Sequence, residues 1–264
     1  MEIIDTHAHI YPERIAKKAT DAIGEFYAEP MEAMLGTADA LIENGTSSGI
    51  SRFVVHSVAT APHQVRSINN FILSEVKKHP DKLIGFITLH PDLTESELRS
   101  EINFALENGL CGIKLHPDFQ KFYIDGERAE KIYSATGGKL PILFHTGDDR
   151  YDYSSPERLV IAAKRHPEMK FIAAHFGSYR VWEKAELYCE AENVWFDTSS
   201  SLAYISPIRA KELIDKLGAH RFFFATDFPM WRAEAELERF YKIPLSDAER
   251  EMILGKNIKT FLGI

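Results

Sequence analysis

Short apolar runs recur along the chain, separated by stretches with helical periodicity. The runs are EIID (2–5), RFVVHSV (52–58), KLIGFITL (82–89), CGIKL (111–115), LPILFH (140–145), KFIAAH (170–175), NVWFD (193–197) and RFFFATD (221–227). They are continuous rather than alternating, as expected of parallel strands covered on both faces. After the first gap, each interval is the length of one strand plus one helix. SINNFILSEVKKHP and PERLVIAAKRHP place basic residues and then His-Pro at their ends, which suits a helix C-terminus. TESELRSEINFALENG opens on Thr94 with Glu97 three residues later and stops at Gly109, a capping-box pattern.

Eight strands alternating with helices predict an α/β chain of the (β/α)8 TIM-barrel class, as a single domain over residues 1–264. A doubly wound open sheet is the competing architecture, but no G-x-G-x-x-G or Walker A stretch supports it. The first gap, residues 10–51, is too long for one helix. PERIAKKATDAIGEFY and PMEAMLGTADALIENG read as two helices, an insertion after strand 1 that serves either as a lid or as extra packing. LHPD follows both the third run (89–92) and the fourth (115–118), a faint internal echo.

Composition changes this picture little: 45% hydrophobic and 27% charged residues are ordinary for a soluble domain. A net charge of −8 argues against a nucleic-acid partner. Two cysteines, Cys111 and Cys189, do not make a disulfide scaffold, and no stretch reads as a signal peptide or membrane span. The expectation is a cytoplasmic protein acting on a small molecule, with a homo-oligomer left open.

In such a barrel, functional groups come from the C-terminal ends of the strands. Strand 1 ends in Asp5-Thr6-His7-Ala8-His9, strand 4 in Lys114-Leu115-His116, strand 5 in His145, strand 6 in His175, strand 7 in Asp197 and strand 8 in Asp227; strand 2 carries His56 and strand 3 ends in His90. Alternate strand residues face one side, so His7 and His9 can share one ion. Imidazoles and a carboxylate converging from several strand ends suit a divalent transition metal. His63, His79, His166 and His220 fall on helices or loops and read as hydrogen-bonding or packing residues. Asp197 is either an orienting group or the N-cap of a following helix. Arg150 and Arg180 lie in loops after strands 5 and 6, where each could grip a substrate carboxylate, and Trp231 could line the pocket.

DTHAHIYP, GIKLHPDFQ, FHTG, AHFG, FDTSS and ATDFP, in that order, resemble the amidohydrolase superfamily, and within it the amidohydrolase-2 branch. The resemblance spans nearly the whole chain and says little about substrate. It implies that His7, His9, His145 and Asp227 bind one metal, and that His175 is a ligand of a second metal or polarises the substrate. Asp227 would then also take the proton from a metal-activated water. The expected ion is zinc, one per chain. Two ions would require a carbamylated Lys114; an unmodified Lys114 would instead hold a substrate carboxylate. The expected reaction is hydrolysis of a small amide, ester or lactone. The alternative is non-oxidative decarboxylation or hydration of a small carboxylic acid, and a reading of another class is a non-catalytic metal-binding barrel.

Overall fold

The computed structural model describes residues 2–28 and 34–264. The eight apolar runs become eight strands: β1 (Ile4–His9), β2 (Arg52–His56), β3 (Leu83–Thr88), β4 (Gly112–Leu115), β5 (Ile142–Phe144), β6 (Phe171–Ala173), β7 (Val194–Asp197) and β8 (Phe222–Phe223). In the sheet they follow chain order, β1 through β8, as a (β/α)8 barrel requires. The chain divides into two compact units.

The first unit comprises Met1–Ser57, Ser74–Ile84 and Thr198–Ile264. Every residue of β1 is buried, which explains why its apolar run does not alternate. β1 pairs in parallel with β2, and on its other side Thr6 N donates to Phe224 O (3.0 Å) and His9 N to Phe228 O (2.7 Å). β1 therefore has partners along both edges. Two helices, α1 (Glu13–Tyr27) and α2 (Ala38–Ser47), follow it. The first matches expectation. The second begins later than the predicted PMEAMLGTADALIENG helix, whose residues 30–33 lie outside the described residues. Thr37 sets the start, since its hydroxyl accepts from Ala40 N at 3.3 Å. The far end of α2 is held against the helix Ala233–Tyr241 by Asn44 Oδ1, which accepts from Ala233 N at 3.0 Å.

β8 is shorter than the run RFFFATD suggests. Beyond Phe223 two successive amides turn to side-chain acceptors. Ala225 N donates to Thr198 Oγ1 (3.0 Å) and Thr226 N to Asp5 Oδ1 (3.0 Å). The backbone stays satisfied but leaves regular strand geometry just before Asp227.

The second unit comprises Val58–Leu73 and Gly85–Asp197. Within it β4, β5, β6 and β7 pair in parallel, each with the next. β4 must begin on glycine: a Cβ at Gly112 would lie 2.5 Å from the ring of Phe86. The helix Glu95–Glu107 carries the expected capping box, with Thr94 accepting from Glu97 N and Glu97 accepting from Thr94 N. Among the described residues no helix is long and apolar enough to cross a membrane.

Candidate metal centre

In the first unit the alternation of β1 brings His7 and His9 together. Their Nε2 atoms lie 3.3 Å apart. Asp227 Oδ1 is 3.4 Å from His7 Nε2 and 3.5 Å from His9 Nε2. An imidazole–carboxylate hydrogen bond would be shorter, about 2.7–2.9 Å. Three donors held tetrahedrally at 2.0–2.1 Å from one ion would instead lie roughly 3.3–3.4 Å from one another. The spacing of the three atoms is that of ligands around a single cation.

Supporting contacts aim these groups. Ser199 Oγ lies 3.2 Å from His7 Nδ1, which leaves Nε2 for the centre. Asp227 divides its carboxylate: Oδ1 faces the histidines, while Oδ2 accepts from Ser200 Oγ at 2.6 Å. Ser200 Oγ in turn accepts from Trp231 Nε1 at 2.9 Å. Trp231 thus reaches Asp227 through Ser200. Burial first, and then the Asp227 charge, push the Tyr11 phenol above its usual range. Asp227 adopts φ 62°, a left-handed conformation uncommon outside glycine.

His56 completes this cluster. It is buried, and its ring meets His7 and His9 edge-on at centroid distances of 4.9 and 4.5 Å. The three imidazoles are close enough to share an ion. Sequence reasoning placed His56 on strand 2 without assigning it a role. The one available signal was a second histidine-bearing strand next to β1.

In the second unit His145 and His175 meet, with Nδ1 of the first 3.0 Å from Nε2 of the second. His145 Nε2 also lies 2.9 Å from Gly147 O. Gly147 has φ 77°, and a Cβ there would strike Tyr179 N at 2.5 Å, so the turn behind His145 needs glycine. His175 is left-handed as well, φ 62°. Asp197 Oδ1 accepts from His175 N at 3.0 Å. The N-cap reading of Asp197 falls, because the next helix starts only at Pro207 and is capped by Ser206. Asp197 braces the His175 backbone instead.

His116 stacks between Phe119 (3.7 Å, 5°) and His145 (4.0 Å, 7°), so it fixes the plane of the His145 ring. Lys114, on β4, is almost fully buried, 1% exposed. Asp118 escaped the sequence reading; its only mark was the repeated LHPD. It is buried, Oδ2 accepts from Ser154 Oγ at 2.7 Å and lies 3.7 Å from His145 Nε2, and Oδ1 has no hydrogen-bond partner. Burial, reinforced by the Asp148 charge and opposed by Ser154, pushes its carboxyl up to about 7.

The two loop arginines differ from each other. Arg150 is already forked onto Asp148, Nε to Oδ1 at 2.9 Å and Nη2 to Oδ2 at 2.8 Å. It borders a cleft of ≈ 370 Å³ with Tyr151 and Lys184. A substrate carboxylate would have to displace Asp148 to use it. Arg180 is exposed, its guanidinium 5.5 Å from the Tyr179 ring centroid. His166 pairs with Glu130 at 2.8 Å, the hydrogen-bonding role expected of a helix-end histidine.

With this geometry in place, comparison identifies the family. The family model described as Amidohydrolase matches residues 4–264, and the chain belongs to that family. No curated protein sequence matches it. Among solved structures it is similar to an uncharacterized TIM-barrel protein from Bordetella bronchiseptica, with TM-score 0.81 and 20% identity over 100% of this chain and 99% of that one. It is also similar to 5-carboxyvanillate decarboxylase from Sphingomonas paucimobilis, with TM-score 0.78 and 16% identity over 100% and 99%. A third is dihydroxybenzoic acid decarboxylase from Polaromonas sp. JS666, solved with bound manganese and the inhibitor 2-nitroresorcinol, with TM-score 0.74 and 17% identity over 99% and 97%. These likenesses show the fold, a (β/α)8 barrel.

Proposed function

We propose that this chain is a metal-dependent enzyme that removes CO2 from a small carboxylic acid without oxidation, using one divalent ion held by His7, His9 and Asp227. The observation that carries the metal is the 3.3–3.5 Å spacing of three donor atoms, longer than charge-assisted hydrogen bonds and right for shared ligands. The family resemblance implies His145 as a further ligand, and His175 as a ligand of a second metal or the group that polarises the substrate. Two imidazoles and a carboxylate suit zinc and manganese alike. The choice of decarboxylation over hydrolysis rests on the similar structures, two of which are decarboxylases of aromatic acids, one with manganese.

A divalent ion there would supply positive charge, enough to hold a carboxylated substrate or to bring the pKa of a water down to about 7. Asp227 is the group placed to move a proton, because Ser200 holds Oδ2 while Oδ1 stays at the centre. In decarboxylation the C–C bond pair remains on the substrate carbon, CO2 departs, and a proton must reach that carbon. Asp227 or His175 would deliver it. Buried Lys114 offers a cation for a substrate carboxylate. Membership of the amidohydrolase family supports a second reading, hydrolysis of an amide, ester or lactone by the same groups.

Elemental analysis of the purified protein, with a screen of hydroxylated aromatic acids, lactones and N-acyl compounds, tests both. The expected result is one zinc or manganese per chain, lost in the His7→Ala/His9→Ala variant, and CO2 release from an aromatic acid. Full metal content in that variant would refute the strand-1 ligands. Turnover confined to lactones or amides would establish hydrolysis instead.

A further inference from the structure

Resting on that metal assignment, we infer that Asp5 and Thr226 are positioning residues that set Asp227 against His7 and so determine how tightly the ion is held. Asp5 is fully buried. Oδ1 accepts from two backbone amides at once, His7 N (3.1 Å) and Thr226 N (3.0 Å). Oδ2 accepts from Thr226 Oγ1 at 2.5 Å. Thr226 Oγ1 accepts in turn from Phe228 N at 3.1 Å. The residues immediately before and after Asp227 are therefore both tied into one buried network. Asp227 itself donates from N to His7 O at 2.9 Å.

The consequence is geometric. One carboxylate oxygen links the backbone of a β1 ligand to the backbone just before Asp227. That link spans the same two groups whose 3.4 Å separation makes the centre. It also holds Asp227 in its left-handed conformation, φ 62°, where the chain would not rest unaided. Metal sites tolerate displacements of only about 0.5 Å in their ligands. Partners one step removed from the ligands are typically worth roughly 10–100-fold in metal affinity.

The test is metal affinity by chelator competition on the loaded enzyme, beside the melting temperature of each protein. Thr226→Val keeps the shape but removes the hydroxyl, and Thr226→Ser restores it. The inference expects Thr226→Val and Asp5→Asn each to weaken binding at least about tenfold, and Thr226→Ser to stay within about threefold of the wild type. Should Thr226→Val not fold, Asp5→Asn decides on the same readout. A folded variant that melts lower but binds metal like the wild type reduces the network to ordinary structure and overturns the inference. A wild type that binds no divalent ion overturns the metal assignment, and this inference with it.

Discussion

Replacing Asp118 by asparagine should stabilise the metal-free protein more at pH 8 than at pH 5. The folded carboxyl titrates at about 7, because burial penalises its charge. In the unfolded chain it titrates near 3.9. Between those values the folded state binds more protons than the unfolded state, so stability falls as pH rises. The contribution is fully present below about pH 4 and is lost as pH passes through 7. At 1.36 kcal/mol per tenfold, the ceiling is about 4 kcal/mol. About 1.5 kcal/mol of it is already lost at pH 5, leaving about 2–3 kcal/mol to be lost between pH 5 and pH 8. The replacement amide oxygen can still accept from the Ser154 hydroxyl, and any cost of burying that amide is the same at every pH. The variant-minus-wild-type difference therefore isolates the ionisation. For a chain of this size that difference should widen by at least about 4 °C in melting temperature between pH 5 and pH 8, measured in chelator. A difference constant to about 1 °C across that range would show that Asp118 ionises without penalty, and the burial argument would be wrong.

Two further predictions concern chemistry. Asp227→Asn keeps the side chain's shape and an acceptor for Ser200 but cannot take up a proton; turnover of an identified substrate should fall roughly 10²–10⁴-fold, and retention of more than about a tenth of the activity would refute the proton-transfer role. Lys114→Ala should keep one metal per chain and raise KM, since a binding charge is lost rather than a ligand; two metals in the wild type, one of them lost in the variant and recovered with a short carboxylic acid, would establish a carbamate.

The eight apolar runs were sufficient to place the strands, because strands covered on both faces leave continuous apolar stretches. Thr94 and Glu97 announced their helix start because a capping box is local. The failures had two sources. The start of α2 depends on Thr37, which competes with an equally helical stretch before it. β8 stops short because Thr198 and Asp5, distant in sequence, take its amides. The same distinction separates the site residues. His7 and His9 were legible from their spacing on one strand. Asp118 was not, since neither its burial nor its approach to His145 leaves a sequence signature.

The aspartates show what strand-end position cannot say by itself. Asp5, Asp197 and Asp227 all stand at or near the end of a predicted strand, and all read alike in sequence. In the first unit Asp5 uses its carboxylate on backbone amides, and Asp227 directs one oxygen at two imidazoles. In the second unit Asp197 commits its Oδ1 to the amide of His175. Both braces serve left-handed residues, Asp5 through the amide preceding Asp227 and Asp197 through the amide of His175 itself. A left-handed non-glycine residue costs roughly 1–2 kcal/mol, and a charge-assisted hydrogen bond contributes about 1.5–3 kcal/mol, so one brace can hold one such conformation. The division of labour follows from which donor each carboxylate reaches first. In the first unit Asp5 Oδ1, with backbone amides at 3.0–3.1 Å, serves as a brace, whereas Asp227 Oδ1, facing imidazole nitrogens at 3.4–3.5 Å, is the oxygen placed for a cation.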